Sequence, residues 1–216
     1  MASPLFTSEE LTQIQRAVQH AEASSGGEIV PVLARQSSFY ESAYWRGGFL
    51  LASFTGLLLT LLYFTSDFLL FAPPHLWLLV ILASGLLGAL IVLLVPAVKR
   101  LLIGRATQEA RVLDQAKTLF YNYGLTLTEQ RTGILLYISF LEHQAVILAD
   151  AGIDELVPPD AWQSMIGTLT SGLKQGRRVE SICATLEACG RLLEESGVQR
   201  AVDDDNELSD EVRVQE

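Results

Sequence analysis

The stretch that decides the fold runs from Gly47 to Val98: GGFLLASFTGLLLTLLYFTSDFLLFAPPHLWLLVILASGLLGALIVLLVPAV. Its 52 residues contain one formal charge, Asp67. A bilayer core of about 30 Å needs about 20 apolar residues for each helical crossing. The stretch is long enough for two crossings, separated by a break from Ser66 to His75. We therefore predict a transmembrane hairpin with helices at about 48–64 and 76–98; the alternative is a buried helical hairpin of a soluble protein.

Basic residues flank only one end of the predicted hairpin. Arg46 precedes the first span, Lys99, Arg100 and Arg105 follow the second, and the intervening loop has no lysine or arginine. Since positive residues concentrate on the cytoplasmic side of membrane proteins, this pattern predicts that both termini are cytoplasmic. We expect a two-span protein of the cell membrane.

Small residues recur within both predicted spans. They are Ala52 and Gly56 in the first span and Ser84, Gly85, Gly88 and Ala89 in the second. Small faces let helices approach closely in lipid, so the spans are expected to pack on each other or on another chain, including a second copy. The partners expected from the sequence are thus the lipid bilayer and other membrane proteins. A net charge of −10 without a basic stripe argues against a nucleic-acid binder.

The residues on either side of the hairpin carry an alternation of helix and strand signals. Thr7 and Glu10 form a capping box that opens a helix from about Ser8 to Ala23. A strand follows at Glu28–Ala34, and its Pro31 predicts a sheet edge or one free side, because proline cannot donate a ladder hydrogen bond.

After the hairpin, the pattern predicts a helix, a strand pair and two further helices. We expect a helix from about Arg105 to Tyr123, a central strand at 132–140, an antiparallel neighbour at 145–149, a loop at 150–155, a helix capped by Asp160 and a last helix at about 179–195. The predicted organisation is one discontinuous cytoplasmic domain of residues 1–46 and 99–200, interrupted by the hairpin of residues 47–98 and followed by an acidic tail, residues 201–216.

Three segments of the chain resemble the TPM domain family. EIVPV at 28–32 resembles its first strand, RTGILL at 131–136 with AVILADAGI at 145–153 resembles its central strand pair and following loop, and NELSDEV at 206–212 resembles the tail of bacterial members that carry a membrane hairpin. The resemblance implies an α/β/α sandwich around a small mixed sheet, here interrupted by a two-helix transmembrane hairpin in a bacterial inner membrane.

The family resemblance also implies several functions. Its members are linked to the assembly or repair of membrane complexes, to binding of divalent cations and, in a plant thylakoid member, to acid phosphatase activity. In the usual family architecture an exported domain precedes a C-terminal anchor or a glycine-rich tail. Here the hairpin interrupts the domain and the flanking charges place it in the cytoplasm, so functions of exported members need not transfer.

The residues that carry candidate chemistry surround Gly152. Asp150, Asp154 and Glu155 are hard oxygen ligands that suit Ca²⁺ or Mg²⁺; the alternative is a turn with solvated acids. Arg131 is expected either to pair with a carboxylate such as Asp150 or to bind an anion. The acidic residues of the C-terminal tail lack the EF-hand pattern and are expected to be solvated; the alternative is that the tail folds back on the domain through Leu208 and Val212.

No standard catalytic motif is present in the sequence, which lacks HExxH, GxSxG, P-loop and GxGxxG patterns. The leading hypothesis is a membrane-anchored, non-catalytic protein that assists the assembly, stability or regulation of a membrane complex. One alternative is a metal-dependent, acid phosphatase-like hydrolase that uses the acidic loop around Gly152. Another is a regulatory domain that binds a divalent cation.

Overall fold

The structure of the chain is a computed structural model, and it describes residues 5–23, 25–65, 73–128, 130–198, 208–209 and 211–215. These residues form eight helices and four strands. In chain order they are α1 Ser8–Ala23, β1 Glu28–Ala34, α2 Glu41–Thr65, α3 Pro74–Leu94, α4 Pro96–Ile103, α5 Arg105–Asn122, β2 Gly133–Ser139, β3 Gln144–Ala149, α6 Ala151–Asp154, α7 Pro159–Lys174, α8 Arg178–Glu195 and β4 Arg213–Gln215. By compactness, the chain divides into a sheet unit, Met1–Ser37 with Glu109–Glu216, and a hairpin unit, Ser38–Gln108.

The strands of the sheet unit form one mixed sheet in the order β3-β2-β1-β4. β1 and β2 are parallel, and Glu28 lies opposite Gly133 at the start of the pairing. β2 and β3 are antiparallel, while β4 runs parallel to β1 beside Val32–Ala34. The predicted central strand and its antiparallel neighbour are thus confirmed.

Alternate side chains of β1 and β2 pack into two different cores, one on each face of the sheet. Successive side chains of a strand point to opposite faces. Odd-numbered Ile29 and Leu33 of β1 join a core with α1, α7 and α8, whereas Val30 and Val32 join a second core with α5. Every residue of β1 and β2 is buried, as expected for strands covered on both faces. The predicted α/β/α sandwich around a small mixed sheet is confirmed.

Pro31 is accommodated in β1 because its backbone nitrogen faces away from β2. Glu28 N–H donates to a carbonyl at the foot of β2, whereas Ile29 N–H points to the other side and donates to Glu22 Oε1 at 2.8 Å. Pro31 has the same parity as Ile29, and the pairing with β4 begins only at Val32. The expectation that this strand lies at an edge is wrong, but the alternative of a free side at the proline fits the geometry.

The hairpin unit contains two helices, α2 and α3, that are long and apolar enough to cross a membrane. Only 6% and 11% of their most apolar segments are buried within this chain. Their small residues pack on each other: a methyl group added at Gly88 would lie 2.5 Å from the carbonyl oxygen of Gly47, and one at Gly48 would lie 3.0 Å from that of Gly85.

Three local expectations need correction. The second apolar helix ends at Leu94 rather than Val98, because Val95 is extended and Pro96 starts the separate helix α4. The predicted loop at 150–155 contains the short helix α6, whose N-cap is Asp150. The N-cap of α7 is Pro158, so Asp160 lies inside the first turn instead of capping it.

The described part of the C-terminal segment lies against the sheet unit. Leu208 packs on the α5 side of the sheet and Val212 joins the opposite core. Leu208 N–H donates to Glu28 Oε2 at 3.3 Å. Asp67 and most of the predicted acidic tail, residues 201–207 and 210, lie outside the described residues.

Candidate functional site

The Arg131 and Asp150 side chains form a two-point ion pair at one end of the sheet. Arg131 Nε donates to Asp150 Oδ2, and Arg131 Nη2 donates to Asp150 Oδ1 at 2.8 Å. Asp150 Oδ1 also accepts from the N–H of Ala151 at 2.8 Å, where it caps α6. The carboxylate is 6% exposed and the guanidinium 53%, so a buried acid is held by a base that faces solvent. Two-point pairing of this kind fixes the orientation of both side chains and also neutralises their charges.

A close backbone approach builds this site. Arg131 adopts the left-handed conformation, with φ of 58°, and its carbonyl accepts from Gly152 N–H at 3.1 Å. A methyl group added at Gly152 would lie 2.8 Å from the carbonyl oxygen of Arg131 and closer still to that of Gln130. Glycine is therefore required where α6 meets the turn before β2.

The ion pair shifts the titration of both partners. The hydrogen bonds from Arg131 lower the pKa of the Asp150 carboxyl below its ordinary value; the Ala151 N–H acts in the same direction, and burial opposes them. Reciprocally, the hydrogen bond to Asp150 raises the pKa of the Arg131 guanidinium. Asp150 is thus a stable anion at neutral pH, a poor general acid or base.

The other two predicted acidic residues are not gathered with Asp150 into a ligand set. Asp154 and Glu155 are exposed on and just after α6, whose burial rests on Ile153. Among the residues that the structure describes, no group of three or more His, Cys, Asp or Glu side chains is placed to hold a metal ion. The two oxygens of Asp150 are already engaged by Arg131 and Ala151. A cation there would compete with the guanidinium for the same carboxylate.

The ion pair predicts a pH dependence of stability. Because the folded pKa of Asp150 is lowered, its contribution is fully present above about pH 4 and is lost as the pH falls through the lowered value. We expect Asp150→Asn to reduce the free energy of unfolding on the order of 1 kcal/mol at neutral pH and to flatten its decline in acid. Hydrogen exchange of the β2 amides against pH is the measurement.

Arg131→Gln supplies the companion for this experiment. It removes the guanidinium but leaves the buried Asp150 carboxylate without this partner, so it should cost more than Asp150→Asn at neutral pH. The double variant should lose less than the sum of the two single variants. An Asp150→Asn curve that overlays that of the unchanged protein would contradict the role of the pair.

A second polar cluster, which the sequence did not predict, lies at the opposite ends of β1 and β2. Ser37 Oγ lies 2.9 Å from Tyr137 Oη and donates to Ser139 Oγ at 2.9 Å. Ser139 Oγ donates in turn to Glu142 Oε2, and Glu142 Oε1 accepts from Ser37 N–H at 2.9 Å. The chain of donors therefore runs from the tyrosine hydroxyl through two serines to one carboxylate.

The burial of this cluster indicates a role in stabilising the fold. Ser139 is fully buried and Glu142 is 4% exposed. Burial raises the pKa of Tyr137, which keeps its hydroxyl protonated as a donor. The carboxyl ends of parallel strands are common positions for sites, but these groups satisfy one another. The only sequence signal was a serine at the end of an apolar strand with a glutamate three residues later.

Comparison with known proteins bears on the sheet unit. Residues 90–192 match the family model of the TPM domain. Over these residues the chain is similar to the TPM domain. The match extends from within α3 into α8 and so contains β2, β3 and the Arg131–Asp150 pair. It confirms the resemblance drawn from the strand and loop motifs at 131–153.

Structural comparison supports the same fold over the whole chain. The NMR structure of BA42 protein from the psychrophilic bacterium Bizionia argentinensis superposes with a TM-score of 0.61 at 18% identity, covering 99% of this chain and 98% of BA42. Identity this low shows a shared fold. Curated proteins gave no match. In this chain the TPM domain match leaves out β1, which pairs with β2 over seven residues.

Proposed function

We propose that the protein is a membrane-anchored, non-catalytic TPM-domain protein that assists the assembly, stability or regulation of a membrane protein complex. In this proposal α2 and α3 span the cell membrane, and both termini lie in the cytoplasm. The orientation follows from the basic residues that flank only one end of the hairpin. The outer faces of the spans meet lipid and the partner.

The observation that carries the proposal is the division of the hairpin into two kinds of surface. The small residues face one another: a methyl group at Gly85 would lie 3.5 Å from Ala52 Cβ, and one at Gly88 would lie 2.9 Å from Leu51 Cβ. Large apolar side chains point outward, including Phe54 and Leu57, which are 63% and 70% exposed. An outward surface of this size needs lipid or another transmembrane protein to cover it.

Photo-crosslinking from single positions of the hairpin in native membranes tests the proposal. A crosslinker at Phe54 or Leu57 is expected to join a discrete membrane protein, because these side chains face outward. The matched position is Ala52, which packs on Gly85 and should crosslink only within the chain. Adducts with lipid alone at both outward positions would contradict the proposed role in a membrane complex. The hairpin would then be a membrane anchor without a protein partner.

A metal-dependent phosphatase, and a regulatory domain that binds a cation, are the competing functions. Both would use Asp150, whose carboxylate oxygens accept from Arg131 and Ala151. Release of phosphate from a small ester in Mg²⁺ that is lost in Asp150→Ala would overturn the non-catalytic proposal. Calorimetry with Ca²⁺ and Mg²⁺ separates the regulatory alternative, since heat that disappears in the same variant would favour it.

A further inference from the structure

We propose that one end of the hairpin unit binds the headgroups of anionic phospholipids. The surface, named the collar, consists of Trp45, Arg46, Arg100, Leu101 and Arg105. This inference rests on the proposed membrane insertion of α2 and α3. It goes further by naming the class of lipid that the collar binds, which insertion alone does not require.

Charge is distributed very unevenly between the two units. Residues 38–108 contain four basic and two acidic side chains, which leaves 11 basic and 23 acidic residues for the rest of the chain. The four basic residues all flank the spans at the collar end. A strongly acidic chain is repelled by an anionic membrane surface, so its local excess of arginine and lysine marks the place where negative headgroups are favoured.

The collar is built on a separate helix. Val95 is extended, with φ of −115° and ψ of 95°, so the eight-residue helix α4 does not continue the helical path of α3. Arg46 Nη1 donates to the carbonyl of Leu102 at 2.8 Å and joins α2 to the end of α4. Lys99 is buried, and its Nζ lies 5.3 Å from the centre of the Tyr44 ring. One face of α4 is thereby fixed against α2.

The outward side of the collar combines apolar and cationic groups. Trp45 and Leu101 are 81% and 80% exposed, Arg46 and Arg105 are exposed, and Arg100 is half-buried. Large apolar side chains interleaved with arginines are typical of segments that lie at the headgroup boundary, where tryptophan is also enriched.

Continuity with the spans favours lipid over an acidic protein as the occupant. Phe49 and Leu50 are 74% and 56% exposed, about one helical turn along α2 from Trp45 and Arg46. Acyl chains that cover Phe49 and Leu50 therefore end with their headgroups beside the collar. Each arginine near an anionic surface contributes about a fivefold preference for the charged lipid.

Quenching of Trp45 by brominated lipid measures this preference directly. The full chain carries Trp77→Phe and Trp162→Phe, so Trp45 is its one remaining tryptophan. It is reconstituted into mixed phosphatidylcholine–phosphatidylglycerol vesicles in which one or the other lipid is brominated. Brominated phosphatidylglycerol is expected to quench more strongly at equal lipid content, and added salt should reduce the difference.

Two charge-matched double variants complete the experiment. Arg100→Gln with Arg105→Gln should lower the preference for phosphatidylglycerol about tenfold or more, whereas Lys174→Gln with Arg191→Gln, both exposed on the sheet unit, should leave it unchanged. Equal quenching by the two lipids, or a preference that survives loss of the collar arginines, would overturn the inference while leaving insertion intact. Quenching by neither lipid would overturn both this inference and the proposed membrane anchoring.

Discussion

Gly152→Ala is expected to destabilise the sheet unit by about 2–3 kcal/mol. The added methyl group would lie 2.8 Å from the carbonyl oxygen of Arg131 and closer to that of Gln130, and neither backbone atom can rotate away. Relief requires α6 to move from the turn before β2, which stretches the hydrogen bond from Gly152 N–H to Arg131 O, 3.1 Å in the structure. Hydrogen exchange of the β2 amides in the full chain should accelerate by about 30-fold or more.

Gly167→Ala provides the matched control. Gly167 lies inside α7, and apart from its chain neighbours and the backbone of its own helix no atom is within 4 Å of the position of an added Cβ. Since alanine favours a helix over glycine, this variant should be neutral or more stable by up to about 1 kcal/mol. Equal exchange rates in Gly152→Ala and the unchanged protein would show that the close approach at α6 is not a constraint.

Glu142→Ala is expected to cost about 3 kcal/mol, because it removes the acceptor at the end of a buried donor chain. Ser139 Oγ and Ser37 N–H would both lose their partner, and Ser139 is fully buried. Glu142→Gln keeps the volume and one carbonyl oxygen, so about half of the loss is expected. The same exchange measurement on β2 reports both.

An exposed glutamate, Glu180, provides the control for the Glu142 variants. Glu180 lies 3.4 Å from Arg177, and both side chains are more than half exposed. Glu180→Ala should therefore change stability by less than about 0.5 kcal/mol. If Glu142→Ala were equally mild, the hydrogen bonds at the carboxyl ends of β1 and β2 would have no net energetic role.

The elements that local chemistry specifies were predictable from the sequence. The Thr7–Glu10 capping box forms as expected, with Thr7 N–H donating to Glu10 Oε2 at 2.7 Å, and α1 spans Ser8–Ala23. β2 and β3 followed from their apolar runs. Arg131 and Asp150 could be expected to meet, because an antiparallel pair brings the start of one strand beside the end of the next.

Features that depend on distant or unusual backbone geometry were not predictable. The left-handed conformation of Arg131 has no signal in a residue type that rarely adopts it. Ser37 and Glu142 are separated by 105 residues, and nothing local marks them as partners. Asp160 does not cap α7 as expected, because Pro159 occupies the first helical position, where its missing N–H is not needed.

The parallel register of β1 and β2 imposes an order on biosynthesis. Glu28 pairs with Gly133, so the first strand leaves the ribosome long before its neighbour is synthesised, and α2 and α3 emerge in between. Strand β4 is synthesised after the other three described strands and also pairs with β1. The nascent N-terminal segment must therefore stay unpaired and available until the whole hairpin has been synthesised, which makes folding of the sheet a late, post-hairpin event.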